Sequence, residues 1–321
     1  MQEQQKFQLS LSSIFFPTHE KKLKKFKDAN RQLAYYTSSD TAVKVIESQT
    51  LWLRNTGVMN DRSEVIHGAK LLFGALKREP RNEFLKALEE CFPGISTEFM
   101  EMAQNWLPLI LGDTFIASFS EHPATQKEND YGRLSMWRAY GAPNGVALIL
   151  NPDAIFQDYG NTGAYISSVE YMDDTEVDQA FLEIANNIRK NKKLLQSFDR
   201  DEIREFSFRA LRYAAVCLKH PAFHEELEWR LVASTSLYTG NLVTQSIESI
   251  GGVPQLVLKL SLQAANSDLN LKNLVKEVLL GPCAYPEVIE RALWEAMTKA
   301  GFENPQAMTR RTNIPLRPNQ R

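Results

Sequence analysis

The chain has 321 residues, a formal net charge of −2 at pH 7, 43% hydrophobic and 24% charged residues, enough to bury one large core or two smaller ones. That balance excludes an intrinsically disordered chain and gives no general attraction to nucleic acid or an anionic membrane. Cys91, Cys217 and Cys283 are three, widely spaced and without metal-ligand spacing, so neither a disulfide framework nor a cysteine metal site is expected. No apolar run approaches the ~20 residues of a membrane helix, and the first residues lack the basic-then-apolar order of a secretion signal. A cytoplasmic location without membrane partners is the expectation.

Residues 1–30 read as a polar arm, with Ile14, Phe15 and Phe16 ahead of a Lys-rich run. From 31 to 321 the pattern predicts a single α+β domain with helical insertions at about 62–111 and 173–219. Leu33–Thr37 is strand-like, Ser38-Ser39-Asp40 caps a helix over Thr41–Ser48, and Thr50–Arg54 is a second strand. Asn60-Asp61 opens a helix over Arg62–Arg78, and Arg81–Leu111 is mostly helical. Phe115–Ser120 is a strand, followed by a polar loop and a short helix carrying Met136, Trp137 and Tyr140.

Gly145–Leu150 has the continuous apolar run of a buried strand, and Ala164–Tyr171 is another strand. Two charged amphipathic helices follow, over about 176–195 and 199–218. The helical insertions at about 62–111 and 173–219 are the surface expected to carry any self-association. Strands over Leu227–Ser234, Gln255–Leu260 and Val275–Leu280 and a helix over Pro286–Ala300 complete the pattern. No Gly-rich phosphate loop follows a strand, which argues against Rossmann and P-loop folds.

Four groups of residues could carry chemistry. Tyr36 and Thr37 at a strand end could stack on a ring and bond an amide, or merely pack beside a helix cap. Asn60 and Glu64 flank a helix N-terminus, where N–H groups favour anions, although Asp61 with Glu64 is close to a capping box. Ser118 and Ser120 share one strand face, with Trp137 and Tyr140 neighbours on the helix downstream. In the strand over Leu227–Ser234, Glu226, Glu228 and Arg230 are two apart, so an extended chain projects them together. Two carboxylates and a guanidinium on one face are costly to bury unless they pair or bind something. His122, His220 and His224 have no metal-site spacing, and no metal is expected.

Taken in order, Tyr35-Tyr36-Thr37, Leu51-Trp52-Leu53, Asn60-Asp61-x-x-Glu64, Ser118-Phe119-Ser120, Met136-Trp137-x-x-Tyr140-Gly141 and Glu226-x-Glu228-x-Arg230 make the chain resemble a bacterial family known as domain-of-unknown-function family 2971. The resemblance runs from about Leu33 to Arg317. The same order of an early aromatic-Thr strand, a middle Ser strand and a late Glu-x-Glu strand is similar to ADP-ribosyltransferases, although Tyr36 stands where they have His or Arg. This likeness implies a split mixed or antiparallel sheet with helical insertions and NAD as substrate. In it Glu228 would stabilise the ribosyl cation and Glu226 would act on the acceptor, which is a protein, a nucleic acid or water. Ser118 or Ser120 would orient Glu228. Tyr36 and Thr37 would hold the nicotinamide amide, Trp137 or Tyr140 would stack, and Arg54 and Arg230 would meet the pyrophosphate.

A toxin or phage-defence setting goes with that resemblance. Two other readings stay open: a non-catalytic nucleotide-sensing or interaction module, and a metal-dependent nuclease using Asp61, Glu64, Glu226 and Glu228.

Overall fold

The computed structural model describes residues 11–58, 62–73, 76, 79–123, 127–141, 144–156, 164–235, 242–250, 252–263 and 269–315. The chain divides into two compact units, one of residues 1–25, 56–114 and 167–224 and the other of 26–55, 115–166 and 225–321. In chain order the strands are β1 (Gln32–Ser38), β2 (Thr50–Asn55), β3 (Thr114–His122), β4 (Gly145–Leu150), β5 (Ala164–Ser168) and β6 (Glu170–Tyr171). They continue with β7 (Leu218–Lys219), β8 (Glu228–Ser234), β9 (Val243–Ile250), β10 (Val253–Ser261), β11 (Val275–Leu280) and β12 (Thr309–Arg311).

The first unit is helical, apart from the short parallel pair β6–β7. Helices Asn82–Cys91, Ile95–Trp106, Asp174–Lys190 and Arg200–Cys217 point Phe84, Phe99, Phe181 and Phe208 into one apolar core. A capping box closes the start of Asp174–Lys190: Asp173 accepts from the Glu176 N–H while Glu176 accepts from the Asp173 N–H. Arg81, nearly fully buried, is satisfied by Asp174, Asp178 and the Leu71 carbonyl.

From residue 11 onward, the segment expected to be a polar arm is helical and partly buried. Residues 11–15 are helical, and helix Pro17–Asp28 follows. Leu11, Ile14 and Phe15, spaced three and four apart, are buried in the helical core. The lysines of Pro17–Asp28 occupy the solvated side and hid that apolar stripe from a composition-led reading.

The second unit is built on a mixed, open sheet of ten strands in the order β12-β11-β4-β1-β3-β2-β10-β9, with β8 paired to β3 and β5 to β8. β11 and β12 are parallel, whereas β1, β2, β3, β4, β9 and β10 pair antiparallel along this order. β3 therefore has three partners, β1, β2 and β8, and the sheet forks at that strand. The Ser38 hydroxyl caps helix Ser39–Ser48 by accepting from the Thr41 N–H. Gln49, left-handed at φ 46°, ends that helix and returns the chain as β2.

β4 is buried on both faces, which its unbroken apolar sequence requires. One face of the β1–β4–β11 region is covered by helix Leu134–Tyr140. Met136 and Trp137 pack on Ala34, Tyr36, Ala147, Ile149 and Leu279. Close approach to Trp137 is possible because glycines surround it. A Cβ on Gly281 would lie 2.6 Å from Trp137 Cε3, and one on Gly132, at φ +67°, 2.9 Å from both Trp137 Nε1 and Tyr36 Oη. On the opposite face Trp229 packs edge-on against Phe26 and Phe156, with centroids 5.2 and 5.0 Å away.

Two outcomes follow. Gly281→Ala forces the Trp137 ring to shift and should cost about 1–3 kcal/mol, read as a lower urea midpoint with an unchanged slope. In the first unit, desolvation and the Lys22 ammonium lower the His19 pKa from 6.5 to about 4. The depressed value means that the neutral ring stabilises the fold above pH 6.5 and that this contribution fades as pH falls from 6.5 to 4. His19→Gln should flatten the pH dependence of unfolding over that window by on the order of 1–3 kcal/mol, the range set by partial solvent access.

Candidate functional site

β1 and β3 are in register at Ala34–Ser120, so Tyr36, Ser118 and Ser120 belong to one face and Tyr35 and Phe119 to the other. The Tyr35 and Phe119 rings meet on that second face at 5.8 Å. The Trp229 indole N–H donates to Glu121 Oε1 at 3.0 Å, which assigns Trp229 to the Phe119 face as well. Glu228 and Arg230 flank Trp229 in β8 and project to the other side. Five of the residues singled out in the sequence (Tyr36, Ser118, Ser120, Glu228 and Arg230) thus share one face of β1, β3 and β8, although their chain positions span almost two hundred residues.

Glu228 and Arg230 form a bidentate pair. Arg230 Nε donates to Glu228 Oε1 at 2.7 Å and Nη2 to Oε2 at 3.1 Å. The two residues are 2% and 0% exposed. A planar guanidinium matches a carboxylate's two oxygens, and withdrawal from water strengthens the attraction while raising the desolvation cost of both ions.

Glu226 does not join them. It ends the 3-10 turn Pro221–Glu226, and Leu227 follows with a left-handed φ of 44°. The strand begins at Glu228 rather than Leu227, so the alternation that would align Glu226 with Glu228 is interrupted. The backbone of Glu226 is held instead, its carbonyl accepting from Ser120 Oγ at 2.6 Å.

Arg133 was not singled out in the sequence, yet it organises this corner. Its backbone N–H donates to Tyr36 Oη at 2.7 Å and its Nε to Ser120 Oγ at 3.2 Å. Nη1 donates to the Glu225 carbonyl at 2.7 Å and Nη2 to the Glu121 carbonyl at 3.2 Å. One guanidinium therefore ties β3 to the turn that delivers β8. A lone Arg after a glycine has no spacing that would announce this.

Ser120 is committed to that clamp. The Ser118 hydroxyl, on the same face, is buried and has no hydrogen-bond partner among the described residues. An unsatisfied buried hydroxyl costs about 1–3 kcal/mol and is uncommon in a native fold.

Trp137 or Tyr140 was expected to form a stacking wall. Trp137 is instead 2% exposed, and its indole N–H donates to the Tyr131 carbonyl at 2.7 Å. Tyr36 packs edge-on against it at 4.8 Å. Burial pushes the Tyr36 phenol up to about 12, the Arg133 N–H opposing that shift, so the hydroxyl stays protonated. Both rings serve the core rather than a ligand surface, and half-buried Tyr140 packs at the same cluster's edge.

Thr37 alternates to the face away from Tyr36. There it acts with Arg54 on Tyr35, whose phenol is pushed up by desolvation and pulled down by the Thr37 hydroxyl and the Arg54 charge. Arg54 Nε also donates to Gln255 Oε1 at 3.0 Å. Asn60 and Asp61 lie outside the described residues, as does the side chain of Glu64. Among the described residues no cluster of three or more His, Cys, Asp or Glu is arranged to hold a metal ion.

The Glu228–Arg230 pair makes a direct prediction. Arg230→Met removes the bidentate partner of a buried carboxylate and should destabilise the chain by about 3–5 kcal/mol. Glu228→Gln combined with Arg230→Met should recover most of that loss in urea unfolding.

No helix among the described residues is long and apolar enough to cross a membrane. Comparison with curated proteins and with solved structures gives no match. The model of a family described as a protein of unknown function, DUF2971, matches residues 136–231, from the Trp137 helix to the middle of β8, and over that segment the family resemblance read from the sequence holds.

Proposed function

We propose that the chain is an ADP-ribosyltransferase-like enzyme that cleaves the nicotinamide–ribose bond of NAD, with Glu228 as the carboxylate facing the ribosyl cation. One observation carries the reading. β1, β3 and β8 adjoin, and Tyr36, Ser118, Ser120 and Glu228 occupy one face of them. Loss of nicotinamide develops positive charge on the ribose, and a carboxylate in a water-poor setting stabilises such charge strongly.

The unpartnered Ser118 hydroxyl is a donor available to a ribose oxygen or a carboxylate on that face. Arg230 pairs with Glu228 until substrate arrives, and its guanidinium then has the geometry to meet a pyrophosphate oxygen. Turnover on this reading requires the ion pair to part when NAD binds. The acceptor is a macromolecule or water, and a toxin or phage-defence role belongs to the same proposal. The split-sheet transferase fold is part of the proposal too, supported by the forking of the sheet at β3.

The burial of Glu228 against Arg230 favours a second reading, a non-catalytic nucleotide-sensing module in which the carboxylate stays neutralised by its partner.

The two readings separate in one assay on purified protein with labelled NAD and lysate. The native chain should release nicotinamide, and Glu228→Gln should lower that rate by at least about 100-fold while NAD affinity changes by less than about threefold. Binding without release by the native chain selects the sensing module. An absence of NAD binding removes both.

A further inference from the structure

The first unit contains a cavity of about 110 Å³ that the reading of β8 does not use. Its walls are apolar side chains from several helices, among them Phe15, Phe84, Phe181, Leu211 and Ala214. Protein interiors are close-packed, and a void of this size leaves its lining without partner atoms. An apolar cavity of ~150 Å³ in another protein stays dry and takes up benzene, so this one suits a body of about five to seven heavy atoms.

One end of the cavity is polar. His19, Ser167, Ser168 and Glu170 also line it. The Ser168 N–H donates to His19 Nδ1 at 3.3 Å, so the neutral imidazole carries its proton on Nε2. Ser168 Oγ donates to Glu170 Oε1 at 2.8 Å, and Glu170 is neutralised by Lys22 at 2.9 Å. The charges at this end are paired with each other, which disfavours an ionic guest. Ser168 Oγ, whose proton goes to Glu170, keeps acceptor capacity for a single uncharged hydroxyl.

We infer that this cavity is a binding site for a small, uncharged, mostly apolar molecule, a single aromatic ring or a short aliphatic chain carrying one hydroxyl group. The ring or chain lies among the phenylalanines, and the oxygen is directed to the His19–Ser168 end. The site stands independently of the proposal for Glu228, since every lining residue belongs to the helical unit.

Phenol and benzene are the probes, titrated into the full chain by calorimetry and by thermal unfolding. Phenol should bind saturably and raise Tm by about 2–5 °C at tenfold excess over its Kd, and it should bind more tightly than benzene. Ala214→Leu fills the cavity and should abolish the heat and the Tm rise while leaving the Tm without probe at or above the native value. Ala180→Leu fills it from another helix and serves if the first variant does not fold. Lack of saturable binding by either probe, or an undiminished response in the filled variants, would overturn the site. Equal affinity for the two probes would overturn the polar end.

Discussion

The second unit turns on a buried ion pair on a strand that three other parts of the chain must position. Glu228 and Arg230 are two residues apart in β8, and the strand's alternation presents them together. Burying both charges is tolerable only while they are paired, so the geometry of β8 has little latitude. That geometry is imposed from outside the strand. Arg133 grips the Glu225 and Glu121 carbonyls, Ser120 holds the Glu226 carbonyl, and Glu121 accepts from the Trp229 indole. The same Glu121 is paired with Arg31.

The aromatic residues on the two faces have complementary duties. Trp229, Phe26 and Phe156 make an edge-to-face cluster on one side, while Trp137 and Tyr36 fill the other beneath a short helix. The glycines around Trp137 allow backbone to approach the indole where any side chain would collide with it. A ring locked in this way cannot also serve as a ligand platform, which is why Trp137 belongs to the scaffold. Charge chemistry and core packing thus occupy the same sheet face, a few residues apart.

Much of the architecture was legible in the chain. The unbroken apolar run Gly145–Leu150 and the Ser-capped helix after Tyr36 carry their structure in local pattern, and both form as read. β9 was not, because its residues Val243–Ile250 are largely solvated and lack an apolar alternation. β12 is only three residues long and pairs in parallel with β11, so its existence rests on a distant partner. At the site, the strand spacing did place Glu228 and Arg230 together. The left-handed Leu227 that removes Glu226 from their row has no signal in residue type, since leucine rarely adopts that conformation. Arg133 was equally silent, its role depending on which backbone carbonyls the fold brings within its reach.

The division into units has a consequence for how such a chain can be handled by a cell or an experimenter. Each unit is assembled from three separated stretches, and the stretches of the two interleave along the polypeptide. Neither can be excised by choosing a start and a stop, because any continuous segment that holds the whole of one unit also holds pieces of the other. During synthesis the helical unit lacks its last pieces until residue 224 has emerged, and the sheet waits longer still for the C-terminal strands β9 to β12. Half-made strand edges therefore exist for most of translation, which makes this a chain whose nascent form needs shielding from self-association.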